Sequence, residues 1–204
     1  GANVFFDDVA RRHIAASTPI LQIKDSSANK GGVFSSSVAE VLTAFLLQED
    51  YEATLLADVP TRCALVRDIM HLVSRYAALE TRLLLKLHQS PDRPHLFDLS
   101  EQSSERIFAF QDELTAQLPA IVADGDLAWQ VMEHYVPEVL RQKLGRERIF
   151  ALLAAGELQP YRDAILTKKL ASMAFYRFGH DWEAFLARAG ADLIPALRAV
   201  FAEP

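Results

Sequence analysis

Apolar residues recur at helical spacing through most of this chain. Val33, Phe34, Val38, Val41, Leu42, Phe45 and Leu46 fall three or four residues apart or side by side, which predicts one amphipathic helix. The longest row follows Asp58-Val59-Pro60, where Leu65, Ile69, Leu72, Tyr76, Leu79 and Leu83 make a seam suited to antiparallel helix packing. It runs out at Ser90-Pro91-Asp92-Arg93-Pro94, whose prolines forbid continuation. Asp98 with Glu101 reads as a capping pair for a helix bearing Ile107, Phe110, Leu114 and Leu118, which Pro119 ends or kinks.

Asp124-Gly125-Asp126 restarts the chain into Leu127, Trp129, Val131, Met132 and Tyr135. Pro137 suits the first turn of a helix that ends before Gly145, and Arg146–Leu153 makes a further short one. Pro160 opens a helix through Ile165, Leu166, Leu170, Met173 and Tyr176, closed by Gly179. Asp181 is placed to cap the next segment, and Gly190 and Pro195 frame a last short helix.

Ahead of all this, Asp7-Asp8 supplies an acidic first turn for a short helix over Val9–Ala16. Ile20-Leu21-Gln22-Ile23, introduced by Pro19, is predicted as the one strand. A lone buried strand leaves backbone groups on both sides without partners, so this one requires a neighbour from outside the sequence or from another subunit.

At 204 residues, 50% hydrophobic and 24% charged, the chain has the composition of a globular domain. A formal charge of −6 argues against nucleic acid as the main partner, because phosphate binding relies on a basic surface. Charged residues interrupt the apolar stretches, so no membrane span is expected. The single cysteine, Cys63, rules out an internal disulfide framework, and a cytoplasmic protein is expected. The opening Gly1-Ala2-Asn3 has the look of a cut chain.

Candidate chemistry concentrates in Lys24–Ser37, where amides, hydroxyls and the pair Gly31-Gly32 sit between two apolar segments. The glycines let backbone approach a bound group closely. Ser35, Ser36 and Ser37 are placed where a helix N-terminus would offer unpaired N–H groups to an anion or carboxylate. A plain Ser/Asn/Gly turn that caps a helix explains the same residues.

The six histidines are dispersed without metal-binding spacing, so no metal site is expected. Ser36, His13 and Asp25 lack the elbow motif of a hydrolase, and Gly31-Gly32 leads through Val33-Phe34 to the serines without the lysine that a phosphate loop places between its last glycine and its serine or threonine. Lys168-Lys169 reads either as two solvated lysines or as a site for an acidic partner. The Leu65–Leu83 seam reads either as a bundle core or as an oligomer interface.

Two motifs carry a family resemblance. Gly1-Ala2-Asn3 resembles the end of an E-G-A-N segment, and Asp25-Ser26-Ser27-Ala28-Asn29-Lys30-Gly31-Gly32-Val33 with Ser35-Ser36-Ser37 resembles the D-S-S-A-N-K-G-G-V-x-S-S-S segment of the glutamate dehydrogenase family, above all its large NAD-dependent members. Val136-Pro137-Glu138 and the stretch from Tyr161 to Tyr176 are similar in patches to the helical C-terminal region of those enzymes.

The resemblance implies a mainly α chain. A bundle-like helical region over 49–204 would follow a remnant over 1–48 (helix, single strand and loop) of a Rossmann-type cofactor domain. It implies that Asn3 and Asn29 lie against the cofactor NAD. Asn29 would also reach the substrate, and Ser36 (with Ser37 as the alternative) would hydrogen-bond the side-chain carboxylate of glutamate. The family's catalytic lysine and aspartate and its dinucleotide loop have no counterpart here, so no catalytic residue is assigned.

The implied parent is a homo-oligomeric enzyme converting L-glutamate to 2-oxoglutarate and ammonia, of which this chain is the C-terminal part and inactive alone. The alternative is a helical oligomerisation or interaction module without a catalytic role.

Overall fold

The computed structural model describes residues 6–202. Among them the chain is helical almost throughout, in the order α1 (Asp8–Ser17), α2 (Asp25–Ala28), α3 (Lys30–Phe34), α4 (Thr43–Leu47), α5 (Val59–His88), α6 (Leu96–Ala116), α7 (Leu118–Ala123), α8 (Gly125–Glu133), α9 (Glu138–Ala154), α10 (Gln159–Phe178), α11 (Trp182–Ala191) and α12 (Leu193–Arg198). A π-helical stretch, Ser35–Leu42, joins α3 to α4 without a break.

The mainly α expectation holds. Its one predicted strand does not: Ile20–Ile23 forms neither helix nor strand, and Ile20 and Leu21 remain exposed. Among the described residues no strand exists to pair with it, and unpaired extended backbone stays at the surface where water satisfies it. The segment is held instead by Gln22, whose Nε2 donates to the Arg11 carbonyl at 2.9 Å.

Helix α10 runs through the middle. Ile165, Leu166, Leu170, Ala171, Met173, Ala174 and Phe175 are all buried along it, and it packs on α5, α6, α8 and α9. Ala171 and Ala174 have no exposed surface, and side chains that small let neighbouring helices approach closely.

The α5 seam faces this core. Leu65, Tyr76 and Leu83 are buried, and Ile69, Leu72 and Leu79 pack against the same cluster. Of its two readings, the bundle core is the one observed.

Several boundaries follow from local chemistry. Asp58 caps α5 by accepting from the Thr61 N–H at 3.1 Å, and Asp124 caps α8 by accepting from the Leu127 N–H at 3.0 Å. Both carboxyls are held below the usual carboxylate range, Asp58 chiefly by the Thr61 hydroxyl and then by the Thr61 N–H, and Asp124 chiefly by the Leu127 N–H. Gly145, at φ +75°, breaks α9 into the two helical stretches expected from sequence, a conformation open to glycine without a Cβ clash.

The capping pair predicted at Asp98 and Glu101 is not formed. Helix α6 starts earlier, at Leu96, which brings Leu96, Phe97 and Leu99 into the interior. Asp98 pairs with Arg12 at 3.2 Å and Glu101 with Lys24 at 2.8 Å, fastening the N-terminal elements to α6. The hydroxyls of Ser27 and Ser100 hydrogen-bond between the same two regions.

Gly31–Asp50 is one continuous helical run, long and apolar enough by length and composition to cross a membrane. Its apolarity has a local explanation. Val38, Leu42, Leu46 and Leu47 are buried in the common core, while Glu40 and Ser36 lie on the exposed side.

Truncating the centre of this packing tests it. Leu170→Ala is expected to lower the unfolding free energy by about 2–5 kcal/mol in urea titration. Val66→Ala, at a position 52% exposed, is expected to change it by no more than about 0.5 kcal/mol. Equal costs at the two positions would contradict a core organised around α10.

Candidate functional site

The glycine-rich segment does not form a loop. Helix α2 is a single turn, Asn29 interrupts it at φ −87°, ψ 25°, and α3 begins at once. The half-buried Asn29 folds its amide over Gly32, so that a Cβ at that glycine would lie 2.6 Å from Asn29 Oδ1. Any other residue at Gly32 would push the amide aside.

Because helix is already established at residue 30, Ser35–Ser37 are not at a helix N-terminus. The Ser35 N–H donates to the carbonyls of Gly31 and Gly32, and the anion site expected at free N–H groups is absent there. The hydroxyls turn back on the helix. Ser36 Oγ donates to Gly32 O and Val33 O, each at 3.3 Å, and Ser37 Oγ donates to Val33 O at 2.7 Å.

Asn29 and Ser36 therefore meet around one residue, Gly32. Ser36 is exposed, on the outward face of the helical run. Asn3 lies outside the described residues. Ser37 is half-buried and lines a cavity of about 430 Å³, together with Val33 and Phe34 from its own segment.

The far wall of that cavity is α10. Tyr161, Ile165, Lys168, Ser172 and Tyr176 line it, and their steps of four, three, four and four residues put them on one helix face. Ile165 and Tyr176 of that row belong to the apolar series expected from sequence, while Lys168 and Ser172 are polar members that apolar periodicity does not pick out. Ser104, Ile107 and Phe108 of α6 and Tyr76 of α5 complete the enclosure.

Polar groups here are held rather than loose. The Tyr161 hydroxyl donates to Ser37 O at 3.3 Å, tying α10 to the serine segment. Tyr76 donates to the carbonyl of His134 and stacks on Phe34, with ring centroids 5.3 Å apart. Burial pushes both phenols well above their ordinary range, and Tyr135 beside Tyr161 adds to its shift, so both stay neutral donors at any physiological pH.

Lys169 is buried at 7% exposure, its ammonium 2.9 Å from the centroid of Tyr76 and 5.4 Å from that of Phe34, a cation–π arrangement. Of the Lys168-Lys169 pair, only Lys168 is exposed. Among the described residues no cluster of histidine, cysteine, aspartate and glutamate is arranged to hold a metal.

Comparison with known proteins supplies what the geometry alone does not. Glutamate dehydrogenase 2 of Dictyostelium discoideum is 33% identical over 184 residues, covering 88% of this chain and 17% of that protein. The chain is similar over most of its length to a part of that glutamate dehydrogenase.

The NAD-specific glutamate dehydrogenase of Saccharomyces cerevisiae is 28% identical over 187 residues. The probable NAD-specific enzyme of Schizosaccharomyces pombe is 28% identical over 182. These cover 89% and 87% of the chain. The chain thus spans only 16–17% of the length of these glutamate dehydrogenases. No family model matches the chain, and no solved structure matches it.

His134, whose carbonyl anchors Tyr76, yields a pH test. Burial lowers its imidazole from 6.5 to about 4, against a hydrogen bond to Gln130 O that opposes the shift, with the charges of Arg75, Lys169 and Arg141 adding to it. The unfolded chain takes up this proton near 6.5 and the folded chain only near 4. Stability is therefore expected to fall as pH drops through that window. The thermal midpoint of the chain should decline across it, and His134→Gln should flatten the decline. Asp58 and Asp124, with pKa values below 3.8, contribute only at lower pH.

Proposed function

We propose that this chain is the C-terminal part of a large NAD-dependent glutamate dehydrogenase, which oxidises L-glutamate to 2-oxoglutarate and ammonia. The observation that carries this reading is identity running through almost the whole chain to enzymes named for that activity. Within it, residues up to 48 are the closing piece of the cofactor-binding domain and residues 49–204 the helical region that follows.

The outward face of the Gly31–Asp50 run is then the working face. Ser36 offers its hydroxyl to the distal carboxylate of glutamate, for which it must give up its bonds to Gly32 O and Val33 O. A buried carboxylate needs such donors, and a substrate without one leaves the hydroxyl unpaired. Asn29, resting on Gly32 one turn before Ser36, reaches both substrate and cofactor, with Asn3 assigned beside the nicotinamide.

The described residues do not build a dinucleotide site, having no strand, glycine-rich turn and helix in succession. The cofactor and the catalytic acid–base groups are therefore assigned to the remainder of the enzyme, and the chain alone is expected to be inactive.

A second reading is favoured by one surface. Val59, Cys63, Val66 and Met70 follow each other at steps of four, three and four along α5, all exposed. That row has the spacing of an oligomer seam, and it fits a homo-oligomeric parent or, without catalysis, a helical assembly module.

In the longer enzyme, Ser36→Ala is expected to raise the KM for glutamate about tenfold, the equivalent of one hydrogen bond to a charged group, with the KM for NAD nearly unchanged. An unaltered glutamate KM would remove Ser36 from the site. The chain by itself, given glutamate and NAD, is expected to produce no reduced nicotinamide, and steady production would overturn the assignment of the catalytic groups elsewhere.

A further inference from the structure

The inward cavity does not have the chemistry of a glutamate pocket. Its volume of about 430 Å³ falls among pockets that enclose ring-sized organic ligands, typically ~300–1,000 Å³. Its lining is dominated by carbon: Phe34, Tyr76, Ile107, Phe108 and Ile165 with the flanks of further tyrosines. A ligand with charges at both ends would bury one of them against these side chains at a large desolvation cost.

The charges that do line the cavity have one sign. Lys168 and Lys169 both face it, and no carboxylate is among its lining residues. Lys169 is committed to the rings of Tyr76 and Phe34. Lys168 is exposed at the rim and makes no ion pair among the described residues. The phenols of Tyr76 and Tyr161 are kept neutral by burial and donate their hydrogen bonds to His134 O and Ser37 O, so they bring no negative charge to the cavity.

We propose that this cavity binds a flat, ring-bearing monocarboxylate, its ring against Phe34, Ile107 and Phe108 and its carboxylate on the ammonium of Lys168. The proposal does not depend on the catalytic reading, since neither Ser36 nor Asn29 is among the residues that line the cavity. Aromatic edges and faces recognise the ring, and a charge-assisted hydrogen bond at the wet rim selects the acid.

The test titrates the isotope-labelled chain with 3-phenylpropionate, 3-phenylpropanol and glutarate, following backbone amide shifts by NMR. Saturable shifts at Val33, Phe34, Ser37 and Ile107 are expected with 3-phenylpropionate. The neutral alcohol is expected to bind the same residues roughly tenfold more weakly, the scale of one charge-assisted hydrogen bond, and glutarate not at all.

Lys168→Gln, at an exposed position that leaves the fold intact, is expected to bring the acid down to the level of the alcohol without changing the alcohol. Ala164→Trp at the rim is expected to abolish both. Glutarate binding as tightly as 3-phenylpropionate, an acid preference that survives Lys168→Gln, or no saturable shift at the cavity residues would each overturn the proposal. None of these results bears on the Ser36 measurement, which is made on glutamate turnover.

Discussion

The structure depends on burying α10 from several sides at once. Helices α5, α6, α8 and α9 all lay apolar faces on it, and its own centre is small where they converge, at Ala171 and Ala174. A lysine is embedded in the same helix. Lys169 can remain there because its ammonium rests on the face of Tyr76, and Tyr76 is in turn fixed by stacking on Phe34 and by its hydrogen bond to the His134 carbonyl. One buried cation thereby joins α10 to α3 and α5 through the rings of Phe34 and Tyr76.

The serine segment inherits its position from that arrangement. Val38, the residue after the serines, and Leu42, about one turn further on, are fully buried, and the Tyr161 hydroxyl holds the carbonyl of Ser37. The segment is thus a two-sided helix. Its inner side closes an aromatic cavity with α6 and α10, while its outer side presents Ser36, with Asn29 folded over Gly32 nearby. The π-helical widening over Ser35–Leu42 coincides with this change of role between faces, and such local unwinding is a frequent companion of functional positions.

Kinship with NAD-specific glutamate dehydrogenases and the geometry of this segment bear on different questions. The first concerns the chemistry of the larger enzymes, and the second concerns which serine of the segment is exposed. Of the two serines that the motif left open, Ser36 faces outward and Ser37 inward. A helical backbone sends adjacent side chains about 100° apart, so one ligand on one side of the helix is not served equally by both.

Local chemistry determined much of this protein from sequence alone. The α5 seam, the restart of the chain at Asp124-Gly125-Asp126, the break at Gly145 and the proline-bound end of α5 all depend on neighbours within a few residues, and each is found as read. The motif around Asn29 and Ser36 was legible for the same reason, being a matter of residue order. What depended on distant partners was not legible. Ile20–Ile23 has the composition of a strand but no strand to pair with, α6 begins where Leu96 and Phe97 find a core rather than where a cap is available, and an established helix removed the free N–H groups expected at the serines. The burial of Lys169 and the cavity beside Lys168 belong to the same class, because a lysine's surroundings are set by which helices converge on it, and only the packed tertiary structure decides that.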